Sequence, residues 1–217
     1  ALRSVGSYGY FGERIASSLG DELPPERYRE LTNERVVSHS SAKHAHHARD
    51  SYMVGALARY LINHGALGEA ASQAAAALGL EPRCRNPFFN TVAQLVELVQ
   101  AHEDARALLK ELITSGVPPE PPVAVAREEG LGVGVLEVPR GLLIHAYEIR
   151  EGRIHRADCV IPTSQNLANL EGDMRGLVTA VLPEGEEALR LRLEMLVRAY
   201  DPCISCATHL VDLSVET

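Results

Sequence analysis

Tryptophan is absent from this chain of 217 residues, and aromatic side chains make up only 5% of it. Few rings are therefore available to stack on nucleic-acid bases, and the net charge of −8 is accompanied by no basic stripe. No apolar run reaches the roughly 18 residues that a membrane-spanning helix needs. These absences argue against a nucleic-acid partner and against a membrane span.

Cysteine is also scarce, and the four cysteines do not have the spacing of a disulfide framework. This usage favours a reducing compartment, which points to the cytoplasm. The chain shows no secretory signal peptide, and it begins at Ala1 rather than Met, which is compatible with a cut end. With 46% hydrophobic residues it can bury one core of ordinary size, and we expect a single domain over 1–217.

The densest group of chemically active residues lies near the C-terminus, at residues 201–209 with the sequence DPCISCATH. Cys203 and Cys206 are three residues apart, so both thiols can reach one soft metal ion, and His209 offers a nitrogen nearby. Such a site uses about four ligands, so this motif is half of a metal site. The alternatives are a thioredoxin-like redox pair, a zinc half-site completed across a dimer, and two packed thiols without a role.

Hydrophobic periodicity predicts a mainly α-helical fold with a small antiparallel β element, that is, an α+β fold. The predicted regions are helical 28–114, a β-hairpin at 130–161 with its turn at Glu151-Gly152, helices over 165–200, and a metal-ligand tail at 201–209. Within the first region, the segment from Tyr28 reads as extended or irregular, and helices are expected from about Met53, at 68–79 and at 88–114. The apolar faces predicted for the longest and the last helix comprise Val92, Leu95, Val96, Val99, Leu108, Leu109, Leu112, Leu189, Leu193, Leu196 and Val197.

Four histidines cluster in the first region: His39, His44, His46 and His47. They indicate either a metal site, with His44 and His47 on one helical face, or a solvated polar face. No carboxylate is placed in sequence to complete the ligand set, although Asp50 is near. The isolated cysteines, Cys84 and Cys159, are expected to be plain buried residues.

Four short sequence motifs, called strings below, resemble motifs of the large subunit of NiFe hydrogenases. Residues 201–209 resemble its C-terminal signature D-P-C-x-x-C-x-x-H, and residues 52–59 resemble Y-M-V-G-P-L-A-R with Ala56 in place of proline. Residues 137–145 resemble E-A-P-R-G-x-x-x-H, and residues 160–166 resemble the V-x-P-T/S segment. The strings occur in the same order along the chain as in the family. The sequence P-T-x-Q-N at 162–166 resembles that of the family's cytoplasmic, cofactor-coupled branch.

The resemblance implies a nickel–iron centre in the complete protein. Cys203 then resembles a terminal nickel ligand and Cys206 a ligand that bridges nickel and iron. The iron would carry carbon monoxide and cyanide, and His209 resembles a ligand of a magnesium or iron site near the C-terminus. Because the metal ligands must be thiolates, the bound dication would hold both cysteines deprotonated.

The resemblance also implies roles for residues around the metals. Arg140 resembles the guanidinium poised over the open metal position, and Asp201 the carboxylate that orients it. The pocket for the diatomic ligands would be formed by Pro139, Pro162 and Thr163, the last as a hydroxyl donor. For Arg140 the alternative is a surface salt bridge, and Thr163 is also suited to capping a helix. His145 is either a supporting residue or merely structural.

Two family features are absent: the first R-x-C-x-x-C and the N-terminal glutamate used for proton exit. The chain therefore resembles the C-terminal half to two-thirds of a large subunit with a helical-bundle core, the N-terminal part missing, and we predict that it is inactive alone. The complete protein would oxidise dihydrogen reversibly to protons and electrons. The alternative is a non-catalytic zinc-binding or interaction module derived from that family.

The resemblance further implies partners. An iron–sulfur small subunit would carry the electrons, further subunits would reduce a cofactor, and a maturation protease and nickel chaperones would process the chain. Residues 210–217 are either an unprocessed remnant of the extension that such a protease removes or a permanent tail.

Overall fold

The computed structural model of the chain describes residues 2–5, 12–124 and 127–207. Over these residues it combines α-helices with small antiparallel sheets, which confirms the predicted α+β class. The helices are α1 Ala56–Asn63, α2 Glu69–Ala77, α3 Asn90–Ser115, α4 Pro162–Val181, α5 Glu186–Tyr200 and α6 Ile204–Ala207. The strands are β1 Leu2–Val5, β2 Arg14–Ser17, β3 Glu22–Leu23, β4 Asn33–Arg35, β5 His44–His46, β6 Gly130–Val138, β7 Gly141–Arg150 and β8 Arg153–Val160.

The largest sheet is an antiparallel meander in the order β6-β7-β8. Val138 pairs with Gly141, so Pro139 and Arg140 form a two-residue hairpin turn between β6 and β7. The second turn is Glu151-Gly152, as predicted, and both residues have positive φ angles of 50° and 68°. Positive φ at both positions is the backbone of the tight turns that suit the right-handed twist of paired strands. The predicted hairpin is thus a three-stranded sheet.

Three apolar clusters hold the fold together. The first lies under the large sheet, where Leu142 and Ile144 of β7 are fully buried against Tyr52 and Val54. The second joins α1, α2 and α3, and the third joins α4 to α5 through Leu170, Leu196 and Tyr200. Each cluster buries one face of a helix or sheet, which is the main source of stability for such elements.

The predicted helical region 28–114 is wrong over its first third, residues 28–55. Residues 33–35 and 44–46 form strands β4 and β5, and α-helix begins only at Ala56. This confirms the extended or irregular conformation expected for the segment from Tyr28. The segment lacks the apolar spacing of a helix and carries β-branched and Ser/His residues, which favour other conformations. The helices expected at 68–79 and 88–114 are present as α2 and α3.

The predicted apolar faces are only partly buried. In α3 the turn around Val96 is buried, whereas Leu95, Leu108, Leu109 and Leu112 are exposed. In α5 Leu196 is buried, while the other predicted residues line an open surface groove: Leu189, Leu193 and Val197. None of the helices in the described ranges has an apolar stretch long enough to cross a membrane.

Candidate metal centre

The turn that carries Arg140 is fixed by close backbone packing against the residues before α1. Gly141 has φ +134°, and a Cβ there would lie 2.5 Å from Val54 Cγ2 and 2.8 Å from the Gly55 nitrogen. Gly55 has φ +113°, and a Cβ there would lie 3.2 Å from the Arg140 carbonyl oxygen. Only glycine combines these φ angles with so close an approach. The strings at 52–59 and 137–145, which are far apart in sequence, are thus in direct contact through Gly55 and Gly141.

Arg59, the last residue of the string at 52–59, holds the two carbonyl groups just before Arg140. Its guanidinium donates to the Val138 oxygen at 3.0 Å and to the Pro139 oxygen at 3.1 Å. It also forms a two-point ion pair with Glu97 and contacts buried Glu137 at 2.9 Å. Burial lowers the pKa of Arg59, but the two carboxylates outweigh it and raise that pKa above its ordinary value. An arginine at the end of an apolar string was the only local sign of this role.

Two buried asparagines fix the backbone around this turn. Asn166 accepts from the Val54 nitrogen at 2.8 Å and donates to the Val54 oxygen at 3.3 Å. Asn90 accepts from the Leu57 nitrogen at 3.0 Å and donates to the Ala199 oxygen at 2.8 Å. The start of α1 is thereby joined to α4 and to the end of α5. Satisfied buried amides of this kind specify one arrangement of the segments that they join.

Asp201 meets Arg140 directly after α5 ends. Asp201 has the left-handed φ of 48°, a conformation that Asp adopts more readily than most residues. Its backbone oxygen accepts from Arg140 Nε at 2.9 Å, and its Oδ1 lies 3.3 Å from Arg140 Nη2. Its Oδ2 accepts from Gln94 of α3 at 3.2 Å. The structure therefore brings Arg140 and Asp201 together, at a partly exposed position where solvent weakens the ion pair.

Cys203 directly precedes α6 and Cys206 lies within it, and both are free thiols. Their Sγ atoms lie 2.6 Å apart, so the two sulfurs are direct neighbours. Hydrogen bonding with Cys206 and with Ser205 lowers the pKa of Cys203 to about 7, and the nearby charge of Arg140 acts in the same direction. The same pairing raises the pKa of Cys206.

Thr163 connects this cysteine segment to α4. Its Oγ1 accepts from the Cys203 nitrogen at 3.1 Å, and the side chain is buried. The helix begins at Pro162, whose missing N–H suits the first helical position, and Ile161 is the capping residue without a side-chain bond. Thr163 lies inside the helix, so the predicted helix-cap role is wrong. A hydroxyl that accepts one bond still carries a proton that it can donate.

The other predicted site residues are distributed as follows. Pro162 is buried beside Thr163, whereas Pro139 is exposed at the tip of its turn. His145 lies on β7, where its Nδ1 is 2.8 Å from the Tyr147 hydroxyl. His209 lies outside the described residues, as does the tail that follows it.

Cys84 and Cys159 are placed differently from the prediction. Cys84 is half-buried against the cluster of α1, α2 and α3, and Cys159 is exposed on β8 beside Tyr147. The expectation of burial is wrong for Cys159, because β8 is an edge strand whose outer face is open to solvent, and it is only partly met by Cys84.

The predicted histidine cluster is divided by the strand in which it lies. His44 and His46 belong to β5, so the helical face proposed for His44 and His47 does not exist. His47 contacts the Leu31 oxygen at 3.0 Å and Asp21 at 3.5 Å. His39 and His44 instead lie beside Glu171 of α4, a carboxylate so distant in sequence that spacing alone cannot reveal it.

The donor set at the cysteine pair fits half of a thiolate metal site. The two sulfurs are neighbours that would have to separate by about 1 Å to bind one ion, one of them has a pKa near neutrality, and a guanidinium lies close enough to favour the thiolate form. A soft divalent metal in such a site takes about four ligands. Within the described ranges the two remaining cysteines lie elsewhere in the fold, so further ligands must come from outside this group.

Comparison with known proteins points to one family. The family model described as nickel-dependent hydrogenase matches residues 21–209. The alpha subunit of sulfhydrogenase 1 from Pyrococcus furiosus is 40% identical over 207 residues, which cover 95% of this chain and 48% of that protein. The beta subunit of the NAD-reducing hydrogenase HoxS from Cupriavidus necator is 36% identical over 127 residues, 54% of this chain and 25% of that one.

Solved structures agree. The crystal structure of an NAD⁺-reducing [NiFe]-hydrogenase in the H₂-reduced state superposes with a TM-score of 0.80 at 30% identity, covering 96% of this chain and 50% of that one. The reduced Ni-Fe-Se hydrogenase of Desulfovibrio vulgaris Hildenborough shares the fold, with a TM-score of 0.61 at 19% identity and coverage of 96% and 52%. The chain spans about half the length of the relatives that match it almost end to end. It belongs to the nickel-dependent hydrogenase family.

Proposed function

We propose that this chain is the C-terminal part of a NiFe hydrogenase large subunit, whose complete form oxidises dihydrogen reversibly to protons and electrons. The proposal depends on two direct contacts at one position of the fold. Arg140 contacts Asp201, and Thr163 contacts Cys203, two residues further along the chain. These residues come from three strings that are far apart in sequence. Ordinary packing does not require a guanidinium, a carboxylate and a thiol pair to share one position.

The proposed metal ligands in this chain are the two thiols and one histidine. Cys203 would bind nickel terminally, Cys206 would bridge nickel and iron, and His209 would bind a magnesium or iron ion near the C-terminus. When bound, the nickel–iron pair, with carbon monoxide and cyanide on the iron, supplies the position at which dihydrogen binds and is split. The contact with Cys206, the Ser205 hydroxyl and the charge of Arg140 lower the pKa of Cys203 to about 7, which favours the thiolate form that binds metal.

The residues around the thiols have separate tasks in this proposal. Arg140 holds a fixed positive charge beside the metal position, where it stabilises the charge separation that accompanies the splitting of dihydrogen. Asp201 accepts a hydrogen bond from that guanidinium with its backbone oxygen and forms an ion pair with it through its carboxylate, and so limits the directions in which the guanidinium can point. Thr163 ties the cysteine segment to α4 and can donate its own proton toward a cyanide nitrogen, while Pro162, buried beside it, excludes water. Pro139, which is exposed in this chain, would form part of that apolar wall only in the complete protein.

The complete protein would need further parts. The other two thiolates would come from sequence outside this chain, so we propose that the chain alone is inactive. An iron–sulfur small subunit would take up the electrons, since a cluster requires cysteines of its own. Subunits that reduce a cofactor, a maturation protease and nickel chaperones complete the proposed partners, in the cytoplasm.

Metal analysis of the complete protein tests this function. We expect nickel and iron in equal amounts, together with hydrogen-dependent dye reduction. Cys203→Ser should lose nickel and activity, whereas Cys159→Ser, which alters an exposed thiol on β8, should retain both. Zinc alone in the purified protein, or nickel unchanged in Cys203→Ser, would contradict the proposal.

A further inference from the structure

A second group of potential metal ligands lies where the segment before β5 meets α4. His39 comes from the connection between β4 and β5, His44 is the first residue of β5, and Glu171 lies in α4. His39 Nε2 is 3.2 Å from Glu171 Oε2, and His44 Nδ1 is 3.7 Å from the same oxygen. The ligand atoms of the three residues all lie within 4.8 Å of one another.

These separations suit a small coordination sphere. Zinc lies about 2.0–2.1 Å from nitrogen and oxygen ligands in a tetrahedral site. Ligand atoms on such a tetrahedron are about 3.4 Å apart, as follows from those bond lengths. The two distances from Glu171 lie on either side of this value, and no two of the three ligand atoms are more than 4.8 Å apart, so side-chain shifts of about 1 Å would bring all three onto one ion.

The composition of the group restricts the metal. Two imidazoles and one carboxylate favour first-row divalent ions such as zinc, iron, nickel or cobalt over magnesium and calcium, which prefer oxygen ligands alone. Three protein ligands leave at least one position for water. His44 is buried and His39 is exposed, so the group has an open side through which an ion can enter.

The other carboxylate oxygen of Glu171, Oε1, contacts a residue that is not part of the proposed ligand group. Arg175, one turn further along α4, forms an ion pair with Glu171 Oε1, which leaves Oε2 turned to the two histidines. Carboxylates that bind metals are commonly fixed by such an outer partner. Arg175 also repels a cation, but its side chain is 78% exposed, so water screens most of that repulsion.

We propose that His39, His44 and Glu171 form a binding site for a first-row divalent metal ion, with zinc as its typical occupant. The ion joins the β4–β5 connection to α4. Glu171 is eight positions after Thr163 in that helix, about 12 Å along its axis at the usual rise per residue. The metal therefore fixes α4 at a point two turns from the residue that contacts Cys203. The site uses none of the residues of the proposed hydrogenase centre.

Cobalt binding tests the site in the complete protein. The Cys203→Ser/Cys206→Ser variant serves as the parent, because it removes the two thiols of this chain that would also bind the ion. Cobalt bound to the other proposed thiolates would show sulfur-to-metal charge-transfer absorption, which distinguishes it from cobalt at this site. After metal depletion, Co²⁺ alone is titrated and its visible absorption followed. We expect bands of cobalt with nitrogen and oxygen ligands, and competition by zinc.

Substitutions then locate the binding. His39→Ala and Glu171→Gln should each weaken cobalt affinity roughly tenfold or more, as expected when a ligand is lost from a small site. His102→Ala removes an exposed histidine of α3 and should leave the affinity unchanged. Because His39 is exposed, its substitution should preserve the fold, which the circular dichroism spectrum checks. Absence of cobalt binding by the parent, or equal affinity in His39→Ala, would overturn the proposal.

Discussion

The two sides of the candidate centre are built in different ways. The side that carries Arg140 is fixed by glycine-to-glycine packing, by the ion pairs of Arg59 with Glu97 and buried Glu137, and by the amides of Asn90 and Asn166. The side that carries the cysteines lies at the surface, where Cys206 is exposed and the Cys203 backbone is joined to α4 through one hydrogen bond. One side is preorganised by this chain, and the other is held by few contacts.

This difference matches the chemistry proposed for each side. A guanidinium that stabilises developing charge is effective only if its position is fixed before the reaction. Thiolate ligands need less support from the protein, because the metal itself orders them when it binds. Substitutions on the Arg140 side should therefore affect stability and rate, and substitutions on the cysteine side should affect metal content.

The largest effect on stability is expected from Arg59→Met. The substitution removes the guanidinium beside buried Glu137 and frees the carbonyl groups before Arg140. Breaking a buried ion pair by removing one partner lowers the free energy of unfolding by about 3–5 kcal/mol. Urea denaturation measures this loss of stability. Arg150→Met, which breaks the exposed ion pair with Glu148, is the control and should change the free energy of unfolding little. Equal stability of the two variants would show that Arg59 does not hold the turn.

Arg140→Lys should lower the rate of hydrogen-dependent dye reduction by about 10²–10³-fold, as for the loss of one preorganised group. Lysine keeps the charge but cannot reproduce the planar fork that meets Asp201 at two points. Nickel and iron content should be unchanged, which separates this variant from those of the cysteines. A rate equal to that of the unaltered protein would remove Arg140 from its proposed role.

Gly141→Ala tests the backbone packing behind the turn. The new Cβ would lie 2.5 Å from Val54 Cγ2, so the turn or the segment before α1 must move. Overpacking of this kind lowers the free energy of unfolding by about 1–3 kcal/mol. Gly134→Ala, in β6 with open space around the added methyl group, is the matched control. We expect Gly141→Ala to lose activity and Gly134→Ala to retain it. The reverse result would contradict the view that backbone packing preorganises the Arg140 side.

The smallest effect is expected from Thr163→Val, which keeps the shape of the side chain and removes the acceptor for the Cys203 nitrogen. One such bond contributes about 0.5–1.5 kcal/mol to stability, so the metal content, and the activity that depends on it, should fall by about tenfold or less. Thr163→Ser restores the hydroxyl and should recover most of the activity. If valine and serine behave alike in the same assay, the hydroxyl is not the relevant group.

Local patterns in the sequence were sufficient for much of the fold. The turn at Glu151-Gly152 and helices α2 and α3 were predicted because turn residues and apolar periodicity act over short distances. The boundary of the first helical region was wrong, and part of the apolar face of α3 is exposed. Which face of a helix is buried depends on the elements that pack on it, and periodicity alone does not identify them.

The candidate site shows the same limit. The strings that resemble the family pointed to Arg140, Asp201 and Cys203, which the structure brings close together. Arg59 and Glu171 were missed as partners, because each acts on residues far away in sequence. A contact between distant positions leaves no local pattern in a single sequence, so only the three-dimensional structure reveals it.

The central claim is that the two C-terminal thiols are half of the nickel coordination sphere. X-ray absorption at the nickel edge of the complete protein measures the number of sulfur ligands directly. We expect sulfur-rich coordination that loses sulfur in Cys206→Ser, or loses nickel altogether, and that is unchanged in Cys159→Ser. Nickel surrounded only by nitrogen and oxygen, or an identical sulfur number in the Cys206→Ser protein, would contradict the claim.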